Sequence, residues 1–154
     1  MLKTILAFTL LAAPAFADAT SDFVTDLYAA MEVQPYDADA MAANYADDYM
    51  DHNRPPGPPE ASDKQIILGI IGELNTAMPN GRRTLNFIEP ISDGRVVIHF
   101  TFDGTFSAPF YGMPPNGHAV HFNGVDIFRL QDGQVAEQWH IEEIAALMAQ
   151  LSGQ

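Results

Sequence analysis

Apolar and polar positions alternate with a period of two in the second half of the chain, and this pattern predicts strands. Arg82 to Glu89 is one such run, ending at Pro90, and Arg95 to Phe106 is a second. Gly117 to Glu143 holds two more, separated by Gln131-Asp132-Gly133-Gln134. Asp-Gly is a strong hairpin signal, because a type I′ turn needs positive φ at both central residues. The C-terminal half is therefore predicted to be an antiparallel meander.

Helical periodicity dominates the first half. Ser21 to Val33 carries an apolar stripe, and a second helix is predicted to start at Ser62 or Asp63 and to stop at Pro79. Asp37 to Tyr49 is predicted to be a helix or helix–turn, because its large apolar residues recur every four positions. Ile144 to Leu151 is predicted to be a short helical tail. Helices followed by a meander are typical of an α+β domain with helices on one face of a sheet.

The turn at Asp132 and Gly133 also predicts the register of the hairpin. With those two as turn residues, Leu130 lies opposite Val135 and Asp126 lies opposite Trp139. The face with the large aromatic residues should point to the core, because side chains alternate between the two faces of a strand. That face holds Phe122, Gly124, Asp126, Phe128, Leu130, Val135, Glu137, Trp139, Ile141 and Glu143. The opposite face holds His121, Asn123, Val125, Ile127, Arg129, Ala136, Gln138, His140 and Glu142.

Charge and cysteine content narrow the classes of partner. The chain of 154 residues has 7 Lys and Arg against 20 Asp and Glu, a formal charge of -13. Such acidity argues against nucleic acid and anionic membranes as partners. It suits a protein that meets a neutral or cationic small molecule, although acidity that merely aids solubility explains it equally well. The absence of cysteine excludes disulfides, thiolate chemistry and cysteine-type zinc sites.

The N-terminus has the pattern of a secretory signal peptide. Met1-Leu2-Lys3 is a charged start, Thr4 to Phe16 is an apolar run, and Ala15-Phe16-Ala17 is an A-x-A cleavage site. The run is too short to span a membrane. We expect residues 1–17 to be removed, which leaves residues 18–154 as one periplasmic or secreted domain without membrane contact. An uncleaved membrane anchor is the alternative.

Short motifs with a common pattern are spread over almost the whole remaining chain. They are Tyr45-Ala-Asp-Asp-Tyr-Met-Asp-His52, Gly104, Gly112-Met-Pro-Pro-Asn-Gly117, Phe122-Asn-Gly-Val-Asp-Ile-Phe-Arg129, Asp132-Gly133, Val135-Ala-Glu-Gln-Trp139 and Gln150-Leu151. Together they resemble the SnoaL-like polyketide cyclases of the NTF2-like superfamily. The resemblance implies a cone-shaped α+β barrel, in which a curved antiparallel sheet wraps round the N-terminal helices and an apolar pocket opens at one end. It also implies a homodimer through the outer face of the sheet.

The resemblance further implies a range of activities, since one fold can carry several. The best-known members catalyse an intramolecular aldol cyclisation by acid/base chemistry without metal or cofactor, and relatives are isomerases, dehydratases, epoxide hydrolases or binders. We therefore expect a domain that binds a small hydrophobic carbonyl-bearing or cyclic molecule and acts as a cofactor-free cyclase, isomerase or lyase. A non-catalytic periplasmic binding or accessory protein and a hydrolase with a carboxylate-activated water are the alternatives. Phe106 stands where the family often has histidine, and Glu143 where it often has aspartate.

Three carboxylates on the aromatic face are the first candidates for catalysis. Asp126, Glu137 and Glu143 would lie beside Trp139. A carboxyl whose pKa is raised by an apolar wall can serve as acid or base. The alternative is a structural role, with the carboxylate bound to a backbone amide or an arginine.

His52 is the fourth catalytic candidate, because a histidine titrates near neutral pH and the resembling family often points this position into the pocket. A histidine that anchors its loop is the competing interpretation.

A metal site from His121, His140 and Glu142 can be imagined, but a polar outer face or dimer interface explains these residues better. Aromatic and apolar side chains should line the pocket. The candidates for ligand binding are Tyr49, Phe100, Phe102, Phe106, Met113, Phe122 and Trp139.

Overall fold

The computed structural model describes the backbone of residues 13–153 and the side chains of residues 19–153. Along the described chain the elements are α1 (Ala13–Ala30), α2 (Ala38–Ala42), β1 (Tyr45–Asp51), α3 (Asp63–Ala77), β2 (Arg82–Pro90), β3 (Arg95–Thr105), β4 (Ala119–Gln131), β5 (Gln134–Glu142) and α4 (Ile144–Leu151). The predicted signal peptide falls outside the described residues up to residue 12. Of the described helices, none is long and apolar enough to cross a membrane.

Local sequence signals account for the ends of the main elements. Ser62 begins α3 with a reciprocal capping box, in which its hydroxyl accepts from the backbone N–H of Gln65 and the Gln65 side chain accepts from the backbone N–H of Ser62. Asp132 and Gly133 join β4 to β5 with φ of 52° and 77°. Positive φ at both positions is what the predicted type I′ turn requires. The predicted hairpin is therefore confirmed.

The five strands form one sheet in the order β1-β5-β4-β3-β2, with β1 and β2 at its edges. β2 to β5 pair antiparallel, whereas β1 pairs parallel to β5. The prediction of a helix or helix–turn up to Tyr49 was wrong from Tyr45 onwards. A spacing of four places Tyr45 and Tyr49 on one face of a strand as well as on one face of a helix, so it does not distinguish the two. The α+β class is confirmed, with a mixed rather than purely antiparallel sheet.

The register of the hairpin changes one step after the turn. Leu130 lies opposite Val135 as predicted, but the next pair is Arg129 with Glu137, which leaves Ala136 as an extra residue in β5. This is a β-bulge, and beyond it the two faces of β5 are exchanged relative to the prediction. Asp126 is consequently opposite His140 rather than Trp139.

The core lies between the inner face of the sheet and helices α1 and α3. Tyr45, Phe102, Phe106, Phe122 and Phe128 are among its largest fully buried side chains. Gly124 on β4 leaves room for an aromatic ring, since a Cβ there would lie 2.3 Å from Cζ of Phe100.

Candidate functional site

A cavity of about 550 Å³ lies between the inner face of the sheet, α3, α4 and the loop that follows β1. Most of its wall is apolar. The apolar lining residues are Met31, Pro55, Pro56, Ile67, Ile70, Ile71, Leu74, Phe100, Phe110, Phe122, Ile144, Leu147 and Met148. An apolar cavity of this size with few polar groups is typical of a small-molecule site.

The two strands of the hairpin contribute four polar side chains to the wall. Asp126 on β4 and Gln138, His140 and Glu142 on β5 all line the cavity. The three β5 residues are two positions apart, so they share one face of the strand. The bulge at Ala136 turns this face inward. One extra residue in β5 therefore determines which titratable groups meet a ligand.

Asp126 is held at the centre of a buried hydrogen-bond network. Its Oδ2 accepts from the hydroxyl of Tyr28 on α1, and its Oδ1 accepts from Nε2 of Gln138 at 3.0 Å. The hydroxyl of Tyr49 donates to Oε1 of Gln138 at 2.7 Å and so orients that amide. Burial raises the pKa of Asp126, although the bonds from Tyr28 and Gln138 and the nearby His140 oppose the rise. Asp126 is thus a positioned carboxylate with increased basicity.

His140 faces a second buried carboxylate. Its Nε2 lies 3.7 Å from Oδ2 of Asp51, at the end of β1, and neither atom has a hydrogen-bond partner within the described part of the chain. Asn53 joins the two strands, because its N–H donates to Oδ1 of Asp51 at 2.8 Å and its own Oδ1 accepts from the N–H of His140 at 3.0 Å. The parallel pairing of β1 with β5 brings this aspartate to the histidine. The pair can orient the imidazole toward the cavity.

Glu142 is the third titratable group of β5 and lies nearest to α4. Burial raises the pKa of its carboxyl, and the negative charge of Asp126 raises it further. Burial and the charge of Asp126 also raise the pKa of Tyr28 well above its usual value. Burial on the inner face therefore raises the pKa of Asp126, Glu142 and Tyr28 alike.

Three of the predicted pocket residues line the cavity: Asp126, Phe100 and Phe122. Tyr49 is buried behind the wall, where it bonds Gln138 instead of facing the cavity. Phe102 and Phe106 belong to the packed core, and Met113 packs against that core. These four were predicted to contact a ligand because they are apolar and lie on or next to the sheet, which does not distinguish a cavity wall from a core.

The prediction that His52, Glu137 and Trp139 face the cavity was wrong. The His52 ring stacks on Trp139 with centroids 4.0 Å apart and planes at 4°. Its Nε2 lies 2.7 Å from Oε2 of Glu137, whose Oε1 accepts from Nε of Arg129 at 2.6 Å. Both bonds lower the pKa of Glu137. These residues form a partly exposed cluster on the outer face, because the bulge reverses β5.

Glu143 is also outside the cavity. It lies beyond the end of β5, is exposed, and its Oε2 accepts from the backbone N–H of Asn123 at 2.8 Å and from Nδ2 at 3.0 Å. The two bonds lower the pKa of Glu143. Glu143 therefore has the structural role that was the alternative for these carboxylates, a bond to a backbone amide. Its predicted place on the inner face was wrong for the same reason as that of Glu137.

Five residues of the site were not predicted as such from the sequence: Tyr28, Asp51, Gln138, His140 and Glu142. Gln138, His140 and Glu142 were predicted to lie on the outer face together with His121. Of the three residues considered as metal ligands, His121, His140 and Glu142, only His121 lies on that face. Its Nδ1 is 2.8 Å from Oδ1 of Asp103. No group of three or more potential ligands that could hold a metal ion occurs among residues 19–153. One signal of the bulge was available, namely two consecutive small apolar residues, Val135 and Ala136, directly after the turn.

Comparison with known proteins gives a consistent result. A family model described as SnoaL-like polyketide cyclase matches residues 22–151. No curated protein matches the chain at a significant level.

Solved structures share the fold over nearly the whole chain. A candidate SnoaL-like polyketide cyclase from Jannaschia sp. CCS1 is 20% identical with a TM-score of 0.74, covering 95% of this chain and 99% of that one. AclR, a candidate hydroxylase from Streptomyces galilaeus, is 18% identical with a TM-score of 0.73, covering 90% and 98%. IdmH, a candidate polyketide cyclase from Streptomyces antibioticus, is 25% identical with a TM-score of 0.68, covering 86% and 98%. The predicted NTF2-like fold class is confirmed.

Proposed function

Since the chain belongs to the SnoaL-like polyketide cyclase family, we propose that it binds a small hydrophobic carbonyl-bearing or cyclic molecule and acts on it as a cofactor-free cyclase, isomerase or lyase. One observation carries the proposal: Asp126 and His140 are cross-strand partners on the wall of a largely apolar cavity. The sequence suggested a histidine with one carboxylate of the hairpin. The geometry favours His140 in place of His52, and Asp126 among the three carboxylates.

Asp126 is the candidate base. It accepts two hydrogen bonds, from Tyr28 and Gln138, which is the pattern of an ionised carboxylate. Burial makes this carboxylate more basic than one in water, so it can take a proton α to a ligand carbonyl. The surrounding apolar wall would limit the access of water, and a carboxylate with less hydration is a stronger base.

His140 is the candidate proton donor. Asp51 lies on the Nε2 side of its ring, 3.7 Å from that nitrogen. The other ring nitrogen would donate to the oxygen of the enolate that forms when Asp126 removes the proton. A charge-assisted bond to a developing oxyanion stabilises the transition state more than the ground state.

The test is proton exchange at a cyclic ketone. The protein is incubated with 2-tetralone in D₂O, and loss of the α-proton signal is followed by NMR. Because a general acid or base usually contributes about 10²- to 10⁴-fold, Asp126→Asn and His140→Gln should each lower the protein-dependent rate by about 10²-fold or more. His52→Ala changes a histidine of the outer cluster and should leave the rate unchanged. Equal rates in all four proteins would contradict the catalytic assignment.

A non-catalytic binding protein is the second candidate, and one observation favours it. Both oxygens of Asp126 already accept hydrogen bonds from protein groups, as they would in a purely structural network. A cavity that binds 2-tetralone without accelerating exchange above the buffer rate would support this candidate. Isothermal titration calorimetry measures the binding separately from the exchange.

Export remains part of the proposal. The pattern of residues 1–17 supports cleavage after Ala17. The mass of the protein recovered from the periplasm or medium should correspond to a chain starting at Asp18. A full-length mass in the cytoplasmic fraction would contradict export.

We also propose a homodimer through the outer face of the sheet. Two large apolar side chains are exposed there, Phe87 at 49% and Ile141 at 72%. Apolar patches exposed on a sheet often mark an interface. Light scattering should give twice the chain mass for the native protein and the single mass for Ile141→Glu. A native protein that stays monomeric at micromolar concentration would contradict the dimer.

A further inference from the structure

Arg83 is the exception among the basic side chains of residues 19–153. The chain has 7 Lys and Arg against 20 Asp and Glu, and Lys3 lies outside the described residues. Five of the others lie beside a carboxylate: the pairs are Arg54–Asp63, Lys64–Asp47, Arg82–Glu32, Arg95–Asp93 and Arg129–Glu137. Of the Lys and Arg residues in the described part of this strongly acidic chain, only Arg83 has no such partner, and it lines the cavity.

Strand alternation explains why the neighbouring carboxylate does not serve Arg83. Arg82 points outward, with 60% of its side chain exposed, and its Nε lies 3.8 Å from Oε2 of Glu32. The other oxygen of Glu32 accepts from the backbone N–H of Arg83. Glu32 is therefore engaged by Arg82 and by the main chain. The side chain of Arg83 lies on the opposite face of β2, inside the domain.

Aromatic rings hold the guanidinium of Arg83 without using its hydrogen-bond donors. Its Cζ lies 5.3 Å from the centroid of Phe102 and 6.0 Å from that of Phe100. Cation–π contact stabilises the charge from one side. None of its guanidinium N–H groups donates to a protein atom among the described residues. Arginine offers five donors in a planar fork that matches a carboxylate.

A second polar group of the cavity also lacks a partner. Tyr45 lines the cavity and is 0% exposed, yet its hydroxyl has no hydrogen bond within the described part of the chain. A buried hydroxyl without a partner costs free energy, so an oxygen-bearing ligand that supplied one would be favoured. Arg83 and Tyr45 come from β2 and β1, the two edge strands of the sheet. Each edge thus contributes to the cavity wall a donor group without a hydrogen-bond acceptor among the described residues.

We propose that Arg83 binds the carboxylate of an amphipathic organic acid, whose apolar body fills the cavity. A single permanent cation balances a monoanion but would leave part of the charge of a phosphate uncompensated. The carboxylates of the wall, Asp126 and Glu142, lie on β4 and β5, away from β2 in the sheet order. They would repel the acid group from their end of the cavity and direct it to Arg83.

This inference rests on the proposed function for the other end of the ligand. The strand pairing places Arg83 level with Phe122 on β4, two strands away, and Asp126 lies four residues further along β4. With the carboxylate at Arg83, the carbon that Asp126 deprotonates would be several bonds away from the acid group. The ligand class is therefore a hydrophobic acid whose reactive carbonyl is remote from its carboxylate.

The experiment compares an acid with its own ester. Isothermal titration calorimetry at pH 7 measures the binding of 1-naphthaleneacetate and methyl 1-naphthaleneacetate to the native protein and to Arg83→Gln, Arg83→Lys and Arg82→Gln. A hydrogen bond to a charged group contributes enough for about a tenfold preference or more. We expect the native protein to prefer the acid by at least about tenfold. Arg83→Gln should bind both equally, with ester affinity unchanged, and Arg83→Lys should keep part of the preference.

Arg82→Gln is the matched control, because it removes the same charge from the adjacent residue on the outer face. It should retain the preference for the acid. Equal affinities of the native protein for the acid and the ester would overturn the inference, as would a preference for the acid that survives Arg83→Gln. Binding of the ester would in either case still support the apolar cavity. Loss of the preference in Arg82→Gln as well would show a general charge effect and also overturn the inference. If neither compound bound at 1 mM, the proposed binding function would fail together with the inference.

Discussion

The two faces of β5 carry similar residues and place them in opposite environments. On the inner face, His140 and Glu142 line an apolar cavity beside Asp126. On the outer face, Glu137 is bonded by His52 and Arg129 at the surface. The pKa of the inner Glu142 is raised by burial, whereas that of the outer Glu137 is lowered by its hydrogen bonds. The direction of the pKa shift of a glutamate on β5 therefore depends on the face on which it lies and not on its residue type.

The largest expected effect concerns the packing of the inner face. Gly124→Val would place a side chain where the ring of Phe100 already lies, 2.3 Å from the added Cβ. Overpacking of this kind usually costs about 1–3 kcal/mol, and we expect the upper part of that range. Urea denaturation measures the loss. Val125→Thr, on the half-exposed outer side of the same strand, should change the free energy of unfolding by less than about 0.5 kcal/mol; equal losses would remove the distinction between the faces.

A smaller effect is expected from the buried hydrogen bond to Asp126. Tyr28→Phe removes its donor at Oδ2, and bonds to charged groups contribute about 1.5–3 kcal/mol. We expect a loss of about 2 kcal/mol in the free energy of unfolding. His52→Ala breaks a partly exposed pair on the outer face, where such pairs contribute about 1 kcal/mol or less. Denaturation of both variants under one condition would test the order, and a larger loss in His52→Ala would reverse it.

The smallest expected effect is a change in the pH dependence of stability when Glu142 or Glu137 is replaced. It compares the two faces of β5 most directly. The native pKa of Glu142 is raised, so its contribution to stability is present below the unfolded pKa of about 4.3 and is lost as pH rises through the native pKa. Glu142→Gln should therefore gain stability relative to the native protein as pH increases from 4 to 8.

Glu137→Gln should show the opposite trend. The native pKa of Glu137 is lowered, so its contribution is present above the unfolded pKa and is lost as pH falls through the native pKa. The variant should be less stable than the native protein near pH 7 and should approach it as the pH falls below about 4. Thermal melts across this range give both differences. Trends of the same sign would mean that the two faces do not differ electrostatically.

Much of the fold could be predicted because its signals are local. Ser62 caps α3, and the Asp132-Gly133 turn joins β4 to β5, at the positions that the sequence indicated. The short segment from Ala38 to Asp51 was harder, because a spacing of four fits a helix and a strand alike. Its parallel pairing with β5 depends on contacts between residues about 90 positions apart, such as Tyr45 with Val135.

The candidate site was predicted in part for the same reason. Asp126 lies on β4, and the extra residue, Ala136, lies on β5. The face of Asp126 was therefore assigned correctly from alternation along β4. Every assignment on β5 beyond Ala136 was reversed, because a shift of one residue moves each side chain to the other face. Asp51 could not be assigned a partner from the sequence, since His140 reaches it only through the parallel pairing of β1 with β5.

By itself, the sequence determined the helices and strands apart from β1, the position of the hairpin turn, the acidic character of the chain and the family resemblance. These depend on short-range periodicity, turn chemistry and composition. The tertiary structure alone decided which titratable groups share the cavity, and it placed Arg83 among aromatic rings with no carboxylate partner in the described part of the chain. One bulge residue and the pairing of distant strands control those placements. Neither gives more than a weak signal in the local sequence, because the free energies of both come from contacts that form only when the sheet is assembled.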